Sequence, residues 1–337
     1  MAKQRIVYLD VIRVLSCCMI VLMHSPHPDA GIPGSVQAPL YFLTSAGIGL
    51  FFMVSGALLL PIKMETGVFL KRRIGKIVGP LLFWTFFYVG VNLLMGETTV
   101  EELPRILLSI PFSAQGHGVL WFMYTLCGLY LLAPVLSAFL EKASRQELRF
   151  YLGVWMIALC YPLLALYINV NRTATGILYY FTGYAGYFIL GYYLHTYPQK
   201  FCSLVKTIMM ILPLSIVFVL RYYSLDGESP DDTGYLSILV LPMCVAWYNY
   251  IQHAIRVVRF VEGKLLTHFS NACFGIYLSH IFVMRYMLWH CDAIVFNFGG
   301  IGQIIITWLL SLIISFLLSY LVGYLPFANY IIGYKHK

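Results

Sequence analysis

Three ionisable residues, Asp10, Arg13 and His24, interrupt an otherwise apolar run near the start of the chain. Their spacing suits a single helix face. Asp10 and Arg13 stand three positions apart, which makes them neighbours on a helix surface. Arg13 and His24 are eleven positions apart, which is three turns plus about 20° of rotation and ~16 Å of rise. Imidazole, with an unperturbed pKa near 6.5, can take a proton from a hydroxyl at neutral pH. A guanidinium stays charged in any environment and offers a fork of donors to phosphate, and an aspartate one turn away would orient it. The pattern therefore offers proton abstraction at one end of a helix and anion binding at the other. Taken singly, Asp10 and Arg13 read as an ion pair at a membrane interface, and His24 reads as an interfacial histidine bonded to a neighbouring helix. Neither reading accounts for the shared face.

Four more segments carry groups of the same kind. Phe51-Phe52-Met53-Val54-Ser55-Gly56 sets a hydroxyl and a glycine in a long apolar run, where a small pair also serves close helix packing. Lys71-Arg72-Arg73, with Lys76 beyond it, suits phosphate groups or, more plainly, a positively charged inner loop. His117-Gly118-Val119-Leu120-Trp121-Phe122 leads into a further apolar run, with Trp121 where an interfacial aromatic belt would also put it. Gly275-Ile276-Tyr277-Leu278-Ser279-His280 carries a second histidine, whose plainer reading is a hydrogen-bonded core residue.

What must position these groups is set by composition. The 337 residues are 60% hydrophobic and 11% charged, with a mean hydropathy of +0.80. Soluble chains carry roughly 45–50% apolar and about 25% charged residues, so soluble domains, disorder, a disulfide scaffold and a coiled coil are excluded. The expected fold class is all-α, a polytopic membrane bundle. At about 20 residues per crossing, apolar runs give ten spans near 6–25, 40–61, 77–95, 119–139, 150–169, 176–195, 204–222, 235–251, 269–289 and 301–325.

Loop charge orients them. Of the 22 basic residues, seventeen fall at the termini and even-numbered loops, among them Lys3, Arg145, Arg149, Arg259 and Lys337. Four, Arg105, Arg172, Arg221 and Arg285, fall on the other side, and Arg13 lies within the first span. Cytoplasmic loops are the basic ones, so both termini are expected in the cytoplasm. The acidic Asp226, Glu228, Asp231 and Asp232 cluster then lies outside. The chain reads as one integral-membrane domain, 1–337, with loops too short to hold a soluble catalytic domain. The net charge of +8 is spread over loops and not gathered on one face, so no nucleic-acid partner is expected. The eight cysteines form no C-x-x-C, so no metal site is expected. No cleavage-site pattern follows the first span, which reads as a retained helix and not a signal peptide.

Taken together, Tyr8-Leu9-Asp10-Val11-Ile12-Arg13 with His24 beyond it, the Phe51–Gly56 run, the Lys71–Lys76 cluster ending at Pro80, Leu120-Trp121-Phe122 and Gly275–His280 resemble the acyltransferase-3 family of integral-membrane O-acyltransferases. The resemblance runs along essentially the whole chain and is to the family's stand-alone ten-helix type. It implies transfer of an acyl group, acetyl in the simplest case, from cytoplasmic acyl-coenzyme A to a hydroxyl of a cell-surface polysaccharide or lipid-linked sugar at a bacterial inner membrane. Coenzyme A would be a donor substrate, with no tightly bound cofactor. By motif, Arg13 and His24 are the essential pair, with Asp10 orienting Arg13. Arg72, Arg73, Lys76, Ser55 and Trp121 form the donor group, and Tyr277 and His280 are further candidates. The basic motif departs from the family's two arginines, because Lys76 fills the second position and keeps the charge without the fork. A succinyl donor would want another cation near the transfer point, for which Arg285 is available. Membrane lipid, a second copy of the chain and polysaccharide-assembly proteins are the remaining expected partners. Direct transfer and a covalent acyl-histidine both fit the residues. The rival reading is a transporter or polysaccharide exporter with Asp10, Arg13 and His24 along its path, but the halves show none of the matched broken helices such folds use.

Overall fold

In lipid no water satisfies a bare N–H or C=O, so an apolar run pairs its backbone internally and becomes a helix. In the computed structural model the described residues are 5–115, 118–165, 168–171, 173–223, 234–258 and 263–336. Among them are helices and turns but no strand. Lys3, His117, Arg172, Asp226, Glu228, Asp231, Asp232, Arg259 and Lys337 lie outside the described residues.

The helices in chain order are α1 (Val7–Met23), α2 (Gly34–Leu59), α3 (Thr66–Leu94), α4 (Leu103–Ser109), α5 (Trp121–Leu140), α6 (Arg145–Ala158), α7 (Tyr161–Leu164), α8 (Ala185–Thr196), α9 (Ser203–Tyr223), α10 (Val240–Val258), α11 (Lys264–Ile281), α12 (Asp292–Phe296), α13 (Gly299–Val322) and α14 (Ala328–Ile331). Among the described residues, five helical stretches are long and apolar enough to cross a membrane: Gly34–Leu59, Thr66–Leu94, Gly118–Leu140, Arg145–Leu164 and Gly299–Val322. The fold is all-α and polytopic.

Several elements start or end elsewhere than the runs read off the sequence, α3 and α8 among them. α3 starts at Thr66 and not near 77, so the Lys71–Lys76 cluster lies within its first turns. The 176–195 run is helical as α8 only from Ala185. Before it a 3-10 turn, Tyr179–Phe181, leads to Gly183 at φ +91°, a backbone conformation that favours glycine and breaks the helix.

α1 is the central element, packed against α2, α10, α11 and α13. α2 and α8 meet backbone to backbone. A Cβ on Gly56 would lie 1.8 Å from the Phe188 carbonyl oxygen, and one on Gly191 would lie 1.9 Å from that of Met53. Small residues allow this approach where lipid supplies no hydrophobic drive between helices. α13 is built inside out. Gln303, Thr307, Ser311, Ser315 and Ser319 recur every fourth position and are fully buried, while Ile305, Leu309, Ile313, Leu317 and Leu321 are about half exposed or more. A helix in water turns its apolar stripe inward; this one turns its polar stripe inward, as contact with lipid requires.

Candidate active site

At the end of the bundle where α1 begins, Asp10 is the hub of a charged network. Its side chain is 8% exposed. It accepts from Arg5 Nε at 2.6 Å, from Arg13 Nη1 at 3.2 Å and from Ser270 Oγ at 2.6 Å. Arg13 Nη1 also donates to Ser270 Oγ at 3.1 Å, and Arg5 Nη2 donates to Asn271 Oδ1 at 3.1 Å. Asp10 and Arg13 meet because they are i,i+3 neighbours, and α11 brings Ser270 and Asn271 against that face. The carboxylate thus orients two guanidinium groups and neutralises one of them.

The network borders a cavity of about 330 Å³. Arg5, Asp10, Arg13, Ser55, Arg73, Tyr130 and Asn271 supply its polar lining, and Ile6, Leu9, Leu58 and Leu59 supply the apolar part. Three guanidinium groups against one carboxylate leave a surplus of positive charge. Their planar forks suit phosphate oxygens. Beside Ser55, Gly56 packs α2 on α8, so adjacent residues of one motif divide the two roles, lining and packing.

Of the residues expected from the sequence, Asp10 and Arg13 come together here with Ser55 and Arg73 of the donor group. Arg72 and Lys76 do not line the cavity. Both are exposed, because at 3.6 residues per turn they share one side of α3 while Arg73 turns about 100° away from Arg72. Trp121 does not line it either. It opens α5, nine residues and ~13 Å of helix before the cavity residue Tyr130, and so lies toward the opposite end of the bundle.

That opposite end carries the histidines. His24 is the C-cap of α1, and its ring centroid lies 5.5 Å from that of His280 on α11. His280 is fully buried, with Nδ1 2.5 Å from the Tyr277 carbonyl oxygen. A carbonyl only accepts, so Nδ1 carries the hydrogen of this bond. Tyr277 in turn donates its phenol proton to the Val119 carbonyl, which ties α11 to the entry of α5. The segment after α1 is pinned as well, since Gln303 donates to the Ser25 carbonyl at 3.0 Å and accepts from the His27 N–H at 3.2 Å.

Aromatic rings gather nearby. Trp121 stacks on Tyr235 at 5.6 Å and lies 5.4 Å from Tyr184. Tyr235 accepts from the Tyr41 hydroxyl at 3.3 Å and donates to Met23 Sδ at 3.6 Å, next to His24. Arg285 instead faces Glu97 at 3.8 Å, with both side chains well exposed.

Sequence reasoning missed Arg5, Ser270, Asn271 and Tyr130. Ser270 and Asn271 left a signal, two adjacent polar residues in an apolar run. Arg5 left only a charge at a span edge, and Tyr130 left none in a chain with 26 tyrosines.

A family model described as an acyltransferase domain, acyltransferase-3, matches residues 6–324, nearly the whole chain. No curated protein and no solved structure matches it.

Proposed function

The chain belongs to the acyltransferase-3 family and is a membrane acyltransferase, and from that premise we propose that it moves an acetyl group from acetyl-coenzyme A to a sugar hydroxyl. One observation carries this reading: three guanidinium groups converge on a cavity at one end of α1, and the other end of the same helix presents His24 beside His280. Arg5, Arg13 and Arg73 receive the coenzyme A phosphates, with Asp10 holding the first two in place. The ~16 Å of helix between Arg13 and His24 is comparable with an extended pantetheine arm, so a donor anchored by its phosphates brings its thioester toward the histidines.

There His24 acts as general base. It takes the acceptor hydroxyl proton as the oxygen attacks the thioester carbonyl. The C–S bond breaks, coenzyme A leaves as the thiolate, and the imidazolium proton returns to that sulfur, so charge and protons balance. Proton transfer of this kind contributes about 10²–10⁴-fold. The acceptor is a cell-surface polysaccharide or lipid-linked glycan, and Trp121, Tyr184 and Tyr235 offer flat faces on which a sugar ring can pack. Trp121 thereby passes from the donor group to the acceptor side.

The proposed setting is a bacterial inner membrane, crossed ten times, with the arginine end and both termini in the cytoplasm. Mass spectrometry of surface glycans from cells with and without the protein tests the reading. One added acetyl mass that depends on the protein supports it. An unmodified polymer that fails to reach the surface without the protein would replace it with export.

A further inference from the structure

Helices α5, α6 and α8 enclose a second cavity, an apolar groove of about 370 Å³, which shares no lining residue with the arginine cavity. Its walls include Leu136 and Phe139 of α5, Leu148 and Leu152 of α6, and Ile189 of α8. Two of these helices lie in stretches long and apolar enough to cross a membrane, so the medium against the groove is lipid.

One turn beyond Ile189 on α8 stands Tyr193. Its phenol oxygen accepts from Arg149 Nε at 2.9 Å and from Arg145 Nε at 3.4 Å. Arg145 also lies 5.1 Å above the Tyr197 ring. Two arginines spaced i,i+4 are thus held at the groove's end, although like charges at that spacing repel. Glu147, between them, does not relieve this. Its carboxylate accepts from the Ser144 N–H at 2.7 Å, in the helix's own cap. Among the described residues neither guanidinium pairs with a carboxylate. The bonds to Tyr193 use Nε, and the terminal nitrogens of each fork are the donors that match phosphate oxygens.

We propose that the groove and this arginine pair bind an anionic phospholipid, with part of one acyl chain between α5, α6 and α8 and the phosphate on Arg145 and Arg149. Charge complementarity selects the headgroup. The stretch of α6 from Leu148 to Trp155 gives the chain ~10 Å of apolar wall, and the rest of the lipid stays in the bilayer.

Native mass spectrometry of the full-length protein in detergent, offered phosphatidylglycerol and phosphatidylcholine in equal amounts, tests this. The wild type is expected to retain phosphatidylglycerol preferentially, and excess inorganic phosphate is expected not to displace it. Arg145→Gln with Arg149→Gln, both at exposed positions, should weaken retention about 30-fold, the effect of two cationic contacts. Ile189→Trp, which fills the groove and leaves both arginines, should also lose the lipid, whereas Tyr193→Phe should keep it. Equal retention of the two lipids, or unchanged retention in the double variant, would overturn the proposal. So would displacement by phosphate with Ile189→Trp unaffected, which would mark a simple anion site.

Discussion

The two ends of α1 are built on opposite principles. At the Arg13 end, charge is gathered: Arg5, Arg13 and Arg73 border one cavity around a single buried carboxylate. At the His24 end rings are gathered instead. Two histidines sit close together among aromatic rings, one of them donating its Nδ1–H to the Tyr277 carbonyl. A fixed positive field suits phosphate groups that are bound and released without themselves reacting. A group that must gain and lose a proton is better placed apart from such a cluster of cations. Separating the two along one rigid helix lets each have its own electrostatics while their spacing stays fixed by helical rise.

If the ends divide the labour in this way, variants at each should fail differently. The largest effect is expected from His24→Ala, which should lower kcat for acetyl transfer by about 10²–10⁴ with donor KM little changed; a variant that retains wild-type turnover would remove His24 as the base. Asp10→Asn should act on both fold and donor. The carboxyl shape stays, but two guanidinium groups lose their counter-charge, costing about 1–3 kcal/mol once their partial exposure is allowed for. Thermal unfolding in detergent reads the first effect and donor KM the second. Arg73→Ala should raise donor KM about tenfold through one lost charged contact and leave kcat near wild type. Arg72→Ala and Lys76→Ala, at exposed positions on the other side of α3, should each change donor KM less than about twofold. A larger effect at Arg72 than at Arg73 would invert the assignment within the basic motif.

The face shared by Asp10, Arg13 and His24 is legible in the sequence because helical periodicity is local: three positions and eleven positions have fixed rotations whatever surrounds them. The membrane class is legible for a similar reason, since composition alone decides how much soluble surface can be coated. What the chain order hides is which helix faces which. Ser270 completes the Asp10 network from a position 260 residues away, and no local pattern connects them. Arg5 lies five residues before Asp10, outside helical register, and reaches it only because the chain is not yet helical at Arg5. The donor group read from motif order mixed both ends, since order along a chain that reverses at every crossing carries no depth. Trp121 and Tyr130 share one helix, yet the first packs on Tyr235 and the second lines the arginine cavity.

The most direct measurement is calorimetric binding of coenzyme A, without any acceptor, to purified wild type, Arg13→Ala and His24→Ala. The expected result is that Arg13→Ala loses most of the affinity and His24→Ala binds as tightly as wild type while failing in transfer. Equal loss in the two variants, or tight binding by Arg13→Ala, would contradict the division of donor binding and proton transfer between the two ends of α1.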